Sequence, residues 1–204
     1  ADQLELNNAL DAIDRISTNA QFGVKKLLDG STGANGVGIG QGMEFITATT
    51  ATKGSPIEGY EVRVSQLGTQ ARVDGTTVLT QEMIENGEEF TIAEGGKTVS
   101  FRAKPGQSVS QALGLLKNEL DKSGINVELI VRDDNTLSLV HKEYGSDHKF
   151  SVSSSSAGVL SSASRTMQGA KAGMDIVGTI GGDVTTGKGQ VLTGVEGTKV
   201  EGLS

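Results

Sequence analysis

The chain has 204 residues, 35% of them apolar and 3% aromatic, with a net charge of −7 and no cysteine. This acidic balance disfavours nucleic acid and anionic membranes as partners, because both bind basic patches. The lack of cysteine excludes disulfides, thiolate metal ligands and cysteine nucleophiles. The shortage of aromatic residues predicts thin, aliphatic cores, and the length allows one large domain or two modest ones.

Targeting segments are not evident in the sequence. No apolar run approaches the roughly 18–20 residues that span a bilayer, and the first ten residues do not resemble a cleavable signal peptide. The chain starts without methionine and ends at VEGLS. We therefore expect it to be an internal fragment of a longer protein.

The first 28 residues predict an amphipathic helix. Its small and apolar positions alternate at spacings of four and three, which is typical of a helix-bundle seam. These positions are Leu6, Leu10, Ile13, Ser17, Ala20, Val24 and Leu27. Gly23 is expected to end the regular part of the helix. The helix packs either on its own domain or on a partner that this chain does not contain.

Residues 30–42 predict a glycine-rich linker. Gly36, Gly38, Gly40 and Gly42 occupy every second position, without the preceding strand and following helix of a dinucleotide-binding fingerprint. The stretch 187–189 does not have the residue pattern of a phosphate-binding loop either. Turns or loose strands are the expected structure at both places.

The segment EFTIAEGGKTVSFRA, within a strand-rich region at 43–104, predicts a β-hairpin. Its two-residue Gly95-Gly96 turn is of a kind that joins antiparallel strands tightly. The expected cross-strand pairs are Glu94–Lys97, Ile92–Val99 and Phe90–Phe101. The two apolar pairs would share one face of the hairpin.

Residues 105–123 predict a second helix. Ser108 and Gln111 make a capping box at its start, and Gly124 suits the left-handed position after its end. The expected buried stripe is Val109, Ala112, Leu113, Leu116 and Leu120.

A second hairpin is predicted in INVELIVRDDNTLSLVH, with its turn at 133–135. The expected pairs are Leu129–Leu139 and Val131–Leu137, with His141 opposite Val127. The segment HKFSVSSS predicts a further strand. Helix, hairpin and strand together predict a small α+β module of roughly 50 residues.

The tail from residue 176 predicts brief strands and tight turns, because glycine recurs every few residues. Two serine-rich stretches, 153–156 and 161–164, are expected to be loops that are either solvated or O-glycosylated. The predicted fold class is therefore α+β and mostly β, with an antiparallel β-rich part after the N-terminal amphipathic helix.

The sequence predicts neither an enzyme nor a cofactor. His141 and His148 are the only histidines, and we expect structural or surface roles because carboxylates do not accompany them at metal-ligand spacing. Residues 133–135 begin like a calcium loop but lack its glycine and its distal glutamate. Glu88 and Glu89 are expected to be solvated charges.

The stretch AIDRISTNAQFGVKKLLDGS resembles bacterial flagellins, at the end of their second N-terminal core helix. The matching positions are Ile13, Arg15, Ile16, Gln21, Phe22, Lys26, Leu27, Leu28 and Gly30. Gly23-Val24 replaces the usual Asn-Gly of that pattern. Residues 108–158 resemble the flagellin hook-IN motif, and the tail from Asp175 is similar to segments of flagellins and of filament-cap proteins.

The resemblance implies three regions. Residues 1–42 would be a partial core domain, residues 43–175 a variable outer domain with a hook-IN-like module at about 105–153, and residues 176–204 a β-rich return segment. Leu6, Leu10, Ile13 and Ile16 would pack against other subunits or core helices. Glu5 lies at the position of a glutamate in the surface that a host innate immune receptor contacts.

The function that the resemblance implies is a polymerising, non-catalytic subunit of the bacterial flagellar filament. It would be extracellular and exported by flagellar type III secretion. Its partners would be other flagellin subunits, an export chaperone and the filament cap, with neither nucleic acid nor membrane among them. The alternatives are a filament-cap or hook-filament junction protein, a surface adhesin or carbohydrate-binding module, and a hydrolase grafted into the outer domain.

We predict that residues 1–20 of the isolated chain fray, self-pair or are held by a neighbouring copy, because their apolar stripe lacks the core helices that it would cover. Hydrogen exchange of these amides, measured by NMR, tests this. Slow exchange in a monomer would show that the stripe is already covered within the chain.

Overall fold

The computed structural model describes residues 36–204 and, before them, two two-residue strands, β1 (Gln21–Phe22) and β2 (Lys25–Lys26). The chain divides into two compact units. The first comprises residues 1–60 and 193–204, and the second comprises residues 61–192. Within the described residues, no helix has the length and apolar character needed to cross a bilayer.

β1 and β2 pair antiparallel, with Gln21 opposite Lys26 and Phe22 opposite Lys25. The predicted helix is therefore wrong at Gln21 and Phe22, whereas Lys25 and Lys26 follow Gly23, where the regular part of the helix is expected to end. Glycine weakens a helix, and Gly23 directly follows β1 in the sequence. The rest of the predicted helix lies outside the described residues.

In the first unit, the end of the chain pairs with the segment that follows the linker. The backbone N–H groups of Ile46 and Thr47 donate to the Ser204 carbonyl at 2.8 and 3.1 Å, and the Ser204 N–H donates to the Thr47 carbonyl at 2.9 Å. The Thr52 hydroxyl donates to the Glu201 carbonyl at 2.6 Å. These bonds fix the C-terminal residues, among which Val200 is fully buried.

The second unit is mostly antiparallel β-structure with two helices. Its elements are β3 (Val62–Gln66), β4 (Gln70–Asp74), α1 (Gln81–Glu85), β5 (Glu89–Glu94), β6 (Lys97–Arg102), α2 (Val109–Ser123), β7 (Val127–Val131), β8 (Leu137–Tyr144), β9 (Phe150–Ser154), β10 (Gln168–Gly169), β11 (Val177–Ile180), β12 (Asp183–Lys188) and β13 (Val191–Gly194), which extends past the unit boundary.

The strands from β3 onward form sheet A (β10-β9-β5-β6), sheet B (β4-β8-β7) and sheet C (β13-β12-β11-β3). The antiparallel, β-rich part of the predicted fold class is confirmed. The brief strands and turns of the predicted tail are also confirmed, as β11 to β13.

The predicted hairpin at 89–102 is confirmed in its full register. Phe90 lies opposite Phe101, Ile92 opposite Val99 and Glu94 opposite Lys97. At the turn, Gly95 and Gly96 have φ angles of 57° and 82°. Positive φ at both central positions is what a type I′ turn requires, so glycine suits both positions.

The second helix is confirmed with both of its caps. Ser108 Oγ accepts from the Gln111 N–H at 3.2 Å, and Gln111 Oε1 accepts from the Ser108 N–H at 2.9 Å. Gly124 ends the helix at a φ of 68°. The helix starts at Val109 rather than at 105, because the residue before its first turn is the capping serine. Ala112, Leu116 and Leu120 are buried, and Val109 and Leu113 pack partly buried against the same core.

The second hairpin is confirmed, but the strand after it joins a different sheet. Leu129 pairs with Leu139, and Val131 with Leu137, in sheet B. β9 pairs with β5 in sheet A, where Val152 lies opposite Ile92. The helix–hairpin–strand segment is therefore not self-contained, because its last strand completes a sheet that the earlier hairpin begins.

One aliphatic core is shared by sheets A and B and both helices. Its fully buried members include Phe90, Ile92, Leu116, Leu139 and Val152. Alternate positions of each strand enter it, as expected of sheets with one covered face.

Two glycines allow close contact between backbones. A Cβ at Gly187 would lie 1.7 Å from the Ile176 carbonyl oxygen, and a Cβ at Gly75 would lie 2.1 Å from the Val159 carbonyl oxygen. Gly187 therefore serves the packing of β12, in agreement with the prediction that 187–189 is a strand or turn.

We predict that Leu116→Ala lowers the free energy of unfolding by about 2–5 kcal/mol, because it leaves a cavity in the core. Leu115→Ala is the matched control, since this neighbouring leucine of the same helix is 43% exposed and its loss should cost about 0.5 kcal/mol. Urea unfolding followed by circular dichroism measures both. Equal losses would contradict the assigned helix face.

Candidate functional site: a histidine–glutamate cluster

The site residues predicted from the sequence are not tested by the structure. The side chains of Glu5, Leu6, Leu10, Ile13, Arg15, Ile16, Gln21, Phe22, Lys26 and Leu27 lie outside the described residues. For Gln21, Phe22 and Lys26 only the backbone pairing of β1 and β2 is described. The sequence did not predict the polar clusters described below.

His141 is the buried centre of a polar cluster whose other members are partly exposed. It lies on β8 opposite Val127, as predicted, and its side chain is 1% exposed. Its Nδ1 accepts from the Glu143 backbone N–H at 3.0 Å, and its Nε2 lies 3.5 Å from Glu94 Oε1. Both ring nitrogens therefore have partners inside the fold, which buried polar groups require.

Glu94 connects the two sheets at this point. It ends β5 in sheet A, and its Oε2 accepts from the backbone N–H of Asn126 at 3.2 Å, immediately before β7 of sheet B. Asn126 Nδ2 also donates to Glu143 Oε1 at 3.2 Å. One asparagine is thus bonded to both glutamates of the cluster.

His148 stacks on His141. The ring centroids are 4.6 Å apart and the planes are inclined by 21°. His148 lies in the connection between β8 and β9, and its Nε2 is 3.3 Å from Glu143 Oε2. Each histidine therefore faces its own glutamate, although no group of three metal-ligating side chains in the described part of the chain is arranged to hold a metal ion.

A shallow cavity of about 360 Å³ opens beside Glu94. The Gly95-Gly96 turn, Lys97, Lys149 and Phe150 contribute to its lining. Lys97 Nζ donates to the Gly124 carbonyl at 2.7 Å, which joins this rim to the end of α2.

Glu88 and two of the serines predicted to be solvated are buried instead. Glu88 is 2% exposed, Ser154 1% and Ser161 0%. Glu88 accepts from the backbone N–H of Ser156 at 2.9 Å and from its hydroxyl at 2.5 Å. The loop prediction is wrong at Ser153 and Ser154, which belong to β9. Ser161 lies in a loop as predicted, but it is buried rather than solvated. The hydroxyls of Ser154 and Ser161 accept from buried backbone N–H groups around the end of β9.

The turn predicted at 133–135 is confirmed. Asn135 has a φ of 62°, and Asp134 Oδ1 accepts from the backbone N–H and the hydroxyl of Thr136 at 3.0 and 2.6 Å. These hydrogen bonds hold the pKa of Asp134 below its ordinary value.

Asp175 forms a third polar cluster, where three connections meet. Its carboxylate accepts from the hydroxyl of Ser146, from the backbone N–H of Gly189 at 2.8 Å and from the backbone N–H of Ser146 at 3.2 Å. These bonds, first that from the Ser146 hydroxyl, hold the pKa of Asp175 below its ordinary value. The carboxylate thereby links the β8–β9 connection to the turn after β12.

The sequence predicts only part of this arrangement of polar residues. The hairpin registers place Glu94 and His141 each near the end of a strand pair, but they do not show that the two hairpins meet. Glu88 lacks such a signal, since a glutamate next to another glutamate is ordinarily solvated.

Comparison with known proteins gives structural resemblance without sequence matches. No family model matches the chain, and no curated protein matches it. The D2–D3 domains of the flagellar cap protein FliD from Escherichia coli are similar over 78% of this chain and 85% of theirs, with 18% identity and a TM-score of 0.49. The D2–D3 domains of FliD from Serratia marcescens cover 78% and 89%, with 16% identity and a TM-score of 0.45.

A longer solved structure is also similar. The D1–D2–D3 domains of Escherichia coli FliD match over 74% of this chain and 49% of that one, with 16% identity and a TM-score of 0.43. At such identities and TM-scores, the likeness does not by itself assign a function to this chain.

We predict that Asp175→Asn reduces the acid sensitivity of the fold. A carboxyl whose pKa is lower in the folded state stabilises the fold fully above its unfolded value, and this contribution is lost as the pH falls through the folded-state value. Between about pH 5 and pH 2, the wild type should therefore lose more unfolding free energy than the variant.

Asp147→Asn is the control for this experiment, because Asp147 is 68% exposed beside Lys188. Urea unfolding at each pH measures the difference. A wild type and an Asp175→Asn variant with the same pH profile would contradict the role of Asp175.

Proposed function

We propose that this chain is a structural, non-catalytic component of the bacterial flagellum, located outside the cell in the filament or at its cap. The observation that supports it most is the segment 108–158, whose residues resemble the flagellin hook-IN motif. This segment contains the capped helix α2, the hairpin β7–β8 and the strand β9.

The tail supports the same class of function. From Asp175 its residues resemble the segment that follows the hook-IN motif in flagellins and in filament-cap proteins, and it contains three short strands, β11 to β13. In this proposal the second unit is a rigid outer body, and its partners are other flagellar subunits.

Two members of this class are candidates. The pattern from Ile13 to Gly30 resembles flagellin and favours a filament subunit. The cap hypothesis fits the comparisons at least as well, because each solved structure named above is a flagellar cap protein.

We predict that deletion of the gene in its source bacterium abolishes the flagellar filament but leaves the hooks intact, as seen by electron microscopy of whole cells. Loss of the filament without secreted subunits in the medium would identify a filament subunit. Loss of the filament with abundant flagellin in the medium would identify a cap, because subunits that are exported but not assembled at the tip escape into the medium.

Complementation with the intact gene is the control and should restore the filament. Normal filaments and normal swimming in the deletion strain would contradict the proposal. If the same protein then bound a glycan array specifically and saturably, the adhesin hypothesis would replace it.

A further inference from the structure

Strand β3 is an open edge of sheet C. Within the described part of the chain its one strand neighbour is β11, and four of its five residues are exposed. By contrast, α2 packs along β6 of sheet A and β7 of sheet B, and Arg72 of β4 bridges to Lys171. An open edge presents unpaired backbone N–H and C=O groups. A further strand can therefore be added to sheet C beside β3.

The pairing with β11 shows which residues of β3 face the open side. The Glu61 carbonyl accepts from the Gly181 N–H of the turn after β11 at 2.7 Å, and the register is regular from Val62 to Val64. The backbone groups of successive residues alternate between the two sides of an antiparallel strand. Those of Arg63, like those of Glu61, are therefore directed toward β11, whereas those of Val62 and Val64 are directed away from it.

Glu61 and Arg63 place opposite charges on one face of this edge. Arg63 Nε lies 3.0 Å from Glu61 Oε1, and the two side chains are 74% and 65% exposed. An ion pair this exposed contributes little to stability, so both charges can pair with another chain instead. Lysine and proline, which commonly block the pairing of open edges, do not occur in residues 61–66.

A second copy of β3 complements this edge in one register. Two copies that form a continuous antiparallel sheet are related by a two-fold axis through one residue of each. With the axis at Val62, the outward backbone groups of the two Val62 residues bond each other, and Glu61 lies opposite Arg63 of the other copy. With the axis at Glu61 or at Arg63, like charges would lie opposite each other. With the axis at Val64, Arg63 would lie opposite the uncharged Ser65.

We propose that the edge of β3 is a contact between two copies of this chain, with Val62 at the two-fold axis. Glu61 and Arg63 then occupy non-hydrogen-bonded positions of the new strand pair, where opposite side chains approach most closely. Two ion pairs form across the axis, and two four-stranded sheets become one.

Such a contact closes after two copies, so it joins chains in pairs and does not by itself build a filament. The argument depends on sheet C alone and not on the flagellar assignment. Its failure in the tests below would therefore leave that assignment to the gene deletion described above.

The first test is sedimentation equilibrium of the 204-residue chain from about 10 µM to 1 mM, a range that suits a short contact. The wild type should dimerise reversibly. Glu61→Arg and Arg63→Glu should each raise the dissociation constant about tenfold or more, because each places two like-charged pairs across the axis. The double variant Glu61→Arg/Arg63→Glu should restore the constant to within about threefold, since the exchanged charges are again complementary.

An equimolar mixture of the two single variants is the matched control, because one then supplies two positive charges and the other two negative ones. The mixture should form dimers at concentrations at which each variant alone is monomeric. Self-pairing through residues 1–20 would not respond to these changes. A wild type that is monomeric at about 1 mM, a mixture that does not dimerise, or equal constants for the wild type and both single variants would overturn the proposal.

Hydrogen exchange of the wild type gives a second measurement, which needs no variant. The amide of Val62 should become more protected as the chain concentration rises, because its N–H bonds only in the dimer. The amide of Leu116 in α2 should keep the same protection at every concentration. Protection of Val62 that does not depend on concentration would contradict the proposed contact.

Discussion

Burial of one aliphatic core by sheets A and B and helices α1 and α2 is the constraint on which the second unit depends. The chain is poor in aromatic residues, and Phe90 and Phe150 are the phenylalanines that the core buries fully or nearly so. Most of its volume comes from Ile, Leu and Val, each of which gains only about 1.5–3 kcal/mol on burial. Such a core is stable only if many strands supply alternate residues at once, which explains why two sheets and two helices close around it.

The buried polar groups lie where this core meets its edges. Glu88, His141 and Ser161 are almost fully buried, and a polar group in such a position destabilises the fold unless it is hydrogen-bonded. Each of them has its partner on a different segment of the chain: Glu88 on Ser156, His141 on Glu94 and Ser161 on Ser154. These hydrogen bonds therefore determine which segments of the chain lie together, in addition to compensating for the burial of the polar groups.

Local signals predicted local structure well. The Gly95-Gly96 turn determines the register of the hairpin around it, and Ser108 with Gln111 determines where α2 begins, because both depend on residues close in sequence. The partner of β9 could not be predicted in the same way, since HKFSVSSS would suit either sheet. The cluster around His141 follows from that pairing, because it joins residues 94, 126, 141 and 148 only after the sheets have formed. The burial of Glu88 could not be predicted either, because its partner Ser156 is 68 residues away in the sequence.

The membership of β9 in sheet A has a consequence for modularity. A strand from the end of the helix–hairpin–strand segment lies beside β5, so this segment and the earlier hairpin must be inherited, transplanted or lost together. We expect inserted residues to be tolerated best where the chain returns on itself, such as the Gly95-Gly96 turn, where an added Cβ would meet nothing within 4 Å. Because β9 lies in sheet A, the turns at the surface can be lengthened, whereas sheets A and B cannot be exchanged separately.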